Sequence, residues 1–355
     1  MEQNTVKQND DHNNYRYVFV CGLQRSGTSV LARNIAKLEN CTSFKNTGVL
    51  QNEGQYLQDI YPPDIELGGT GRYGFHPRAH LTETSDLLTP ENVAKLRRSW
   101  HSHWDKDKRI CVEKTPGNLI MTRFLQAAFP NAYFIVIRRH PIAVSRATQK
   151  WSFSSLHSLF EHWLRCYDLF EQDRQYLTRV YELTYEDYIA NPTKHHRQIA
   201  DFIGTRATSD QMESLSSAHN RKYLDRWSNL LAKSPWKTYY LYIASKYEPK
   251  FAKYNYSLMK ELDMNLKHLG SETKRIGSRV GVLYCLGADV STFFWRLHGR
   301  KMELMTTPIR WILPRSLKDR IKDALQRKQL HWAARLVAPQ WFNEIQKGAL
   351  VSKLR

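Results

Sequence analysis

The chain has 355 residues, 41% hydrophobic, 12% aromatic and 25% charged, the balance of a folded globular protein and not of a disordered, collagenous or disulfide-scaffold chain. Its 53 lysines and arginines against 34 acids leave a formal charge of +19, which favours an anionic partner: a phosphorylated cofactor, an acidic glycan, nucleic acid or an anionic membrane surface. The five cysteines (Cys21, Cys41, Cys111, Cys166, Cys285) form no C-x-x-C pair and have no histidine at metal-ligand spacing; they read as reduced, mostly buried thiols.

Residues 1–16 are polar, without the apolar core of a signal peptide or the length of a membrane anchor, so a disordered tail and a cytoplasmic setting are expected. Tyr17-Val-Phe-Val-Cys-Gly22 reads as a buried strand. The spacing of Leu31, Ile35 and Leu38 predicts a helix after it, with Thr28 or Ser29 capping the first turn. Residues 45–90, rich in Gly, Pro, Asn and Asp, show no sustained period, as expected of a substrate loop or lid. A second strand is read at Arg109–Lys114, a helix through Ile120, Phe124 and Ala128, and a third strand at Ala132–Ile137 running into Arg138-Arg-His-Pro141. Helices from about Ile142 and through Trp163, a fourth strand at Val180–Thr184, and a helix from Lys194 to Ile203 stopped by Gly204 complete the series. This alternation predicts an α/β fold, a central parallel sheet flanked by helices, with ligands at the carboxyl edge of its strands.

We place one domain at 17–265 and a basic, mainly helical C-terminal extension at 266–355. The extension holds 18 Lys and Arg against 6 Asp and Glu. Ser316–Val337 is its best helix, and apolar Val280–Trp295 is shorter than the roughly 20 residues a bilayer span needs.

Gly22-Leu-Gln-Arg-Ser-Gly27-Thr28-Ser29 lies between strand and helix with the skeleton of a phosphate-binding loop, G-x-x-x-x-G-x-[ST]. Backbone N–H groups, a helix N-terminus and the Thr28 and Ser29 hydroxyls can converge there on an anion. Thr28 stands where a nucleoside triphosphatase has lysine, and the loop's cation is Arg25. The obvious metal-binding strand ends in Ile137-Arg-Arg-His rather than in an acid, which argues against Mg-ATP chemistry.

These residues resemble the sulfotransferases that use 3′-phosphoadenosine 5′-phosphosulfate, nearest to the bacterial glycan and tyrosylprotein types. Gly22–Ser29 resembles their 5′-phosphosulfate loop, Phe134–Pro141 their 3′-phosphate segment, Thr184-Tyr-Glu-Asp-Tyr-Ile-Ala-Asn-Pro192 their Y-E-D-L-x-x-[ND]-P, and Glu113-Lys-Thr-Pro116 their E-K-[ST]-P. The resemblance implies a P-loop-type sheet and a donor site of Gly22, Gln24, Arg25, Ser26, Gly27, Thr28 and Ser29, with Arg139 on the 3′-phosphate and Tyr185 on adenosine. The usual serine eight positions after the arginine is Ala147 here, leaving Ser145 or Thr148 as the second phosphate ligand. His219–Trp227 stands where relatives supply a late basic loop, which implicates Arg221; from the residues alone, Asn220–Lys222 reads as an ordinary solvated turn.

The implied reaction moves a sulfuryl group to a hydroxyl without a metal, Arg25 and Lys114 clamping the sulfonate and its bridging oxygen. The base is Glu53, in the interval where relatives place a glutamate, or His76, which titrates near working pH. The implied acceptor is a glycan or glycolipid, and the basic extension could meet an anionic membrane surface. Two other readings stand beside this one: a P-loop kinase or nucleotide hydrolase, and a non-enzymatic polyanion binder. Nucleic acid is not expected as a partner, because the charge concentrates away from the phosphate motifs. His101, His103, His195 and His196 have no third ligand nearby in sequence and read as non-metal, and the aromatic cluster Trp236–Tyr256 reads as core or lid.

Overall fold

The computed structural model describes residues 14–259 except 150, 151, 153, 208–211, 214–217 and 235–236. The N-terminal tail to residue 13, Trp236, Cys285, Val280–Trp295, Ser316–Val337 and the basic extension with its membrane contact lie outside the described residues.

The elements run β1 (Arg16–Cys21), α1 (Thr28–Ile35), β2 (Cys41–Ser43), α2 (Pro90–His101), β3 (Ile110–Lys114), α3 (Thr122–Ala128), β4 (Ala132–Arg138), α4 (Pro141–Thr148), α5 (Leu156–Arg174), β5 (Val180–Thr184), α6 (Tyr185–Ala190), α7 (Pro192–Ile203), α8 (Ala218–Lys233) and α9 (Lys237–Ala252). The strands form one sheet in the order β2-β3-β1-β4-β5, and every pairing is parallel. Strand alternation explains why both faces are covered. Tyr17, Phe19 and Cys21 of β1 and Phe134 and Val136 of β4 join the core under α2, α3, α5 and α9. Val18, Val20, Ile135 and Ile137 point the other way, against Leu31, Ile35, Ile199 and Ile203 of α1 and α7.

Several elements lie outside the expected series, α6, α8 and α9 among them, and two more precede β3. β2 adds a fifth strand, a three-residue edge paired through Cys41 with Ile110. α2 begins where Thr89 accepts the Asn92 N–H at 3.2 Å, with Pro90 at the first helical position, and it buries Leu96 and Trp100. Between β2 and α2 the chain makes 3₁₀ turns at Leu50–Asn52, Gly54–Tyr56 and Tyr73–Phe75. It packs down rather than standing free as a lid: Glu53, Gln55, Tyr61, Asp64 and Tyr73 are all buried.

The aromatic cluster of α9 and its sequel is core. Tyr247, Phe251, Tyr254 and Tyr256 are buried, and the last three lie against Trp163 with centroids 5.0–6.0 Å apart. Cys21, Cys41, Cys111 and Cys166 are free and buried. Among the described residues no helix is long and apolar enough to cross a membrane.

Candidate active site

The carboxyl ends of β1, β3, β4 and β5 meet at one edge, because the register sets Val20 beside Lys114, Cys21 beside Val136 and Arg138 beside Thr184. The loop after β1 turns on two glycines. A Cβ on Gly22 would stand 2.5 Å from the Ile137 carbonyl, and one on Gly27 2.9 Å from the Tyr185 ring, both at positive φ. Arg25 is also left-handed at φ 73° and exposed, while Ser26 and Thr28 are buried and Ser29 is half-buried. Gly27 itself is the helix N-cap, with no side-chain cap. Neither Thr28 nor Ser29 caps α1, since Thr28 already lies in the first turn and Gly27 supplies the non-helical residue before it. Gln24 turns away from the loop and donates to Asp64 Oδ2 at 2.6 Å.

At the end of β4 two arginines diverge. Arg138 goes outward, to Glu171 at 3.1 Å and Glu182 at 3.2 Å. Arg139 goes inward, only 6% exposed. Its Nη1 donates to the Arg25 carbonyl at 2.6 Å and its Nε to Asn220 Oδ1 at 2.8 Å, and its guanidinium lies 4.0 Å from the Tyr185 ring centroid. Burial pulls its pKa below the ordinary arginine range. Its Nη2 and the Ser145 hydroxyl on α4 are buried polar atoms with no protein partner, each left with hydrogen-bonding capacity for an external group. Thr148, one turn on, is buried as well.

Glu186 ties this corner together, accepting from Asn220 Nδ2 at 2.6 Å, the His140 N–H at 3.2 Å and Tyr256 Oη at 3.1 Å. Asn220–Lys222 is thus no solvated turn. It opens α8, whose Trp227 and Leu231 are buried on one face, and Asn220 is buried while Arg221 and Lys222 are exposed. The contact to Arg139 comes from Asn220, one residue before Arg221.

At the end of β3, Lys114 Nζ donates to Glu53 Oε1 at 2.7 Å, both side chains under 10% exposed. Gln55 Nε2 holds the other Glu53 oxygen at 2.7 Å. Burial, the largest influence, raises the Glu53 pKa, with Lys114 opposing and the nearby Asp64 adding to it. Behind the pair, Glu113 is pushed up to about 7 by burial, although Thr115 and the Gly54 N–H hydrogen-bond its carboxylate. His76 is placed differently. Its Nδ1 accepts its neighbour Arg78's N–H at 3.1 Å, burial and Arg78 lower its pKa, and no hydrogen bond among the described residues joins it to Glu53 or Lys114.

Beside Lys114 opens a hollow of about 530 Å³ lined by Ser29, Lys45, Asn46, Gln51 and Asn52 among others. Among the described residues no group of three or more His, Cys, Asp or Glu is arranged to hold a metal ion. The unpartnered Arg139 Nη2 and Ser145 hydroxyl, together with the glycine turn, fit a ligand with two separated phosphate groups.

A family profile described as "Sulfotransferase family" matches residues 17–210. No curated protein matches the sequence. Solved structures that resemble the chain include a sulfotransferase from Mycobacterium avium (14% identity, covering 72% of this chain and 79% of that one, TM-score 0.40). The sulfotransferase domain of the Synechococcus PCC 7002 olefin synthase is 20% identical, over 58% of this chain and 76% of that one, with TM-score 0.35. A sulfotransferase from Alicyclobacillus acidocaldarius is 13% identical, over 62% and 94%, with TM-score 0.35. With the profile spanning more than half of the 355 residues and a five-stranded parallel sheet carrying the phosphate loop, the chain belongs to the sulfotransferase family and is an enzyme that uses 3′-phosphoadenosine 5′-phosphosulfate as co-substrate.

Proposed function

We propose that the enzyme sulfates a hydroxyl of a carbohydrate acceptor, with Glu53 as general base and Lys114 as the cation beside the leaving group. The observation that carries this reading is the buried Glu53–Lys114 pair at 2.7 Å, whose lysine lines the hollow. Burial raises the Glu53 pKa in the direction a general base needs, and the Gln55 amide fixes its orientation. A proton arriving on Glu53 cancels the negative charge that held Lys114. The ammonium is then free to act on charge developing at the neighbouring loop. His76, tied into its own turn, is the weaker base candidate.

Gly22–Ser29 would hold the donor's phosphosulfate, with Arg25 as its cation. Arg139 would hold the 3′-phosphate, and Tyr185 the adenosine. Ser145 is favoured over Thr148 as the second phosphate ligand because its hydroxyl is buried and unpartnered. Arg221, exposed and next in sequence to Asn220, would add a cation to the donor. When bound, the donor supplies the sulfuryl group; the chain's residues orient it and move the proton. Asn46, Gln51 and Asn52 give the hollow hydrogen-bonding side chains for sugar hydroxyls, while Ala32, Phe44 and Val112 give it an apolar wall for the flat face of a ring.

The test is release of 3′-phosphoadenosine 5′-phosphate from the donor with an oligosaccharide, a glycolipid and a simple phenol as acceptors. Turnover with either sugar-bearing acceptor is expected, and turnover with the phenol alone overturns the reading. Cytoplasmic residence is part of the same proposal, checked by fractionation.

A further inference from the structure

The hollow beside Lys114 does not end there. It continues into a second, of about 520 Å³, and Ala36, Lys37, Ser43 and Lys45 line both. Together they make a groove along the outer edge of the sheet, past β2, from Lys114 to Lys108.

The groove's charge is lopsided. Lys114, Arg33, Lys37, Lys45 and Lys108 line it, against Glu213, Glu39 and Asp105, and Glu213 is bound to Arg33 at 2.7 Å. Lys37 and Lys45 are exposed and Lys108 half-buried. Neutral hydrogen-bonding groups sit between the cations. Asn46 and Gln51 are exposed amides in a segment where Asn46, Gln51 and Asn52 all take positive φ, a conformation asparagine tolerates better than most residues. Asn52 Oδ1 holds that segment closed by accepting from the Thr47 hydroxyl at 2.7 Å and its N–H at 3.1 Å. Amides match sugar hydroxyls, and spaced ammonium groups match anions carried along a chain.

We propose, resting on the carbohydrate reading above, that the acceptor is an acidic oligosaccharide. It lies along the β2 edge with its reacting hydroxyl at Glu53 and its carboxylate or ester anions on Lys45, Lys37 and Lys108. An extended anion held by three separate lysines also explains why the groove runs beyond the space a single acceptor sugar fills.

The experiment is calorimetric titration of the full chain, saturated with 3′-phosphoadenosine 5′-phosphate, with three probes: hyaluronan hexasaccharide, the same sugar with its carboxylates reduced to alcohols, and hexaglutamate. The acidic sugar is expected to bind at least tenfold tighter than its reduced form. The triple variant Lys37→Ala/Lys45→Ala/Lys108→Ala is expected to erase that gap while nucleotide affinity stays within twofold. Equal binding of the two sugars, or a gap that survives the triple variant, overturns the acidic-acceptor proposal and leaves the carbohydrate reading standing. Hexaglutamate binding as tightly as the acidic sugar, or neither sugar binding while the nucleotide does, overturns the carbohydrate reading itself.

Discussion

Replacing Arg139 by alanine tests the donor site most directly, because the arginine's protein contacts leave one nitrogen over. Two of its nitrogens are committed, at 2.6 Å to the Arg25 carbonyl and 2.8 Å to Asn220, and Nη2 stands unpartnered near the end of β4. A hydrogen bond to a charged group contributes about 1.5–3 kcal/mol. One such bond from Nη2 to a 3′-phosphate, taken at the upper figure, comes to about 3 kcal/mol, a loss of roughly 150-fold in affinity. The assay is calorimetric titration with 3′-phosphoadenosine 5′-phosphate and, in parallel, with adenosine 5′-phosphate, which lacks only the 3′-phosphate. Arg139→Ala should weaken the first by roughly two orders of magnitude and the second by less than threefold, because the variant and the missing phosphate remove the same interaction. The substitution also strips partners from Arg25 and Asn220, so circular dichroism must show a folded protein. Asn220→Ala, which keeps the arginine but unhooks it, should weaken the bisphosphate about tenfold, the equivalent of one lost hydrogen bond. A folded Arg139→Ala protein that binds both nucleotides as the wild type does, or loses both equally, would refute the reasoning.

Glu53→Gln should lower kcat by about 10²–10⁴-fold, the range for losing a general base, with nucleotide affinity unchanged by titration; His76→Ala should leave kcat within a few-fold. Gly27→Ala forces a Cβ to 2.9 Å from the Tyr185 ring at φ 97°, so a fall in Tm is expected together with loss of nucleotide binding, both readable by thermal shift. Glu113 sets a pH dependence of stability. Its folded pKa, about 7 against an ordinary 4.5, means the folded state retains a proton that the unfolded chain releases. Its contribution is therefore fully present below pH 4.5 and lost as pH rises through about 7, in total on the order of 3 kcal/mol. Glu113→Gln should flatten that slope in urea titrations between pH 4.5 and 8 because the amide does not titrate; Asn118, whose Nδ2 donates to the Glu113 carboxylate, can turn its unpartnered Oδ1 to accept from the new amide. An unchanged slope would show that another group controls it.

What the sequence reveals tracks how local each signal is. The four long strands are legible because each is rich in β-branched or aromatic residues, three of them stopped at glycine, lysine or arginine and the fourth at the cap Thr184, and the phosphate loop because its glycines sit within a few residues of one another. β2 is only Cys-Thr-Ser, too short and too polar for any period, and the apolar face of α2 is hidden in a charged run. Glu53 and Lys114 are each readable from their own motifs. Their pairing across 61 residues exists only once β3 lies beside the segment that follows β2. Asn220 is harder still. It looks like a polar turn residue, and its meaning depends on α8 folding back onto an arginine 81 positions earlier. The buried apolar face of α8, through Trp227 and Leu231, was the signal that could have found it.

The carboxylate of Glu186 gathers the backbone of His140, the amide of Asn220 and the hydroxyl of Tyr256. Two of those three partners lie beyond residue 210, where the match to the family profile stops. The stretch that the profile matches is therefore shorter than the stretch from which the brace around Arg139 is built. A chain shortened to residue 210 would keep the phosphate loop and Arg139 but lose the brace that aims the guanidinium, whereas one ending at Met259 would keep both. Minimal fragments for expression, swaps between relatives and the reading of natural truncations should all be cut to the second boundary.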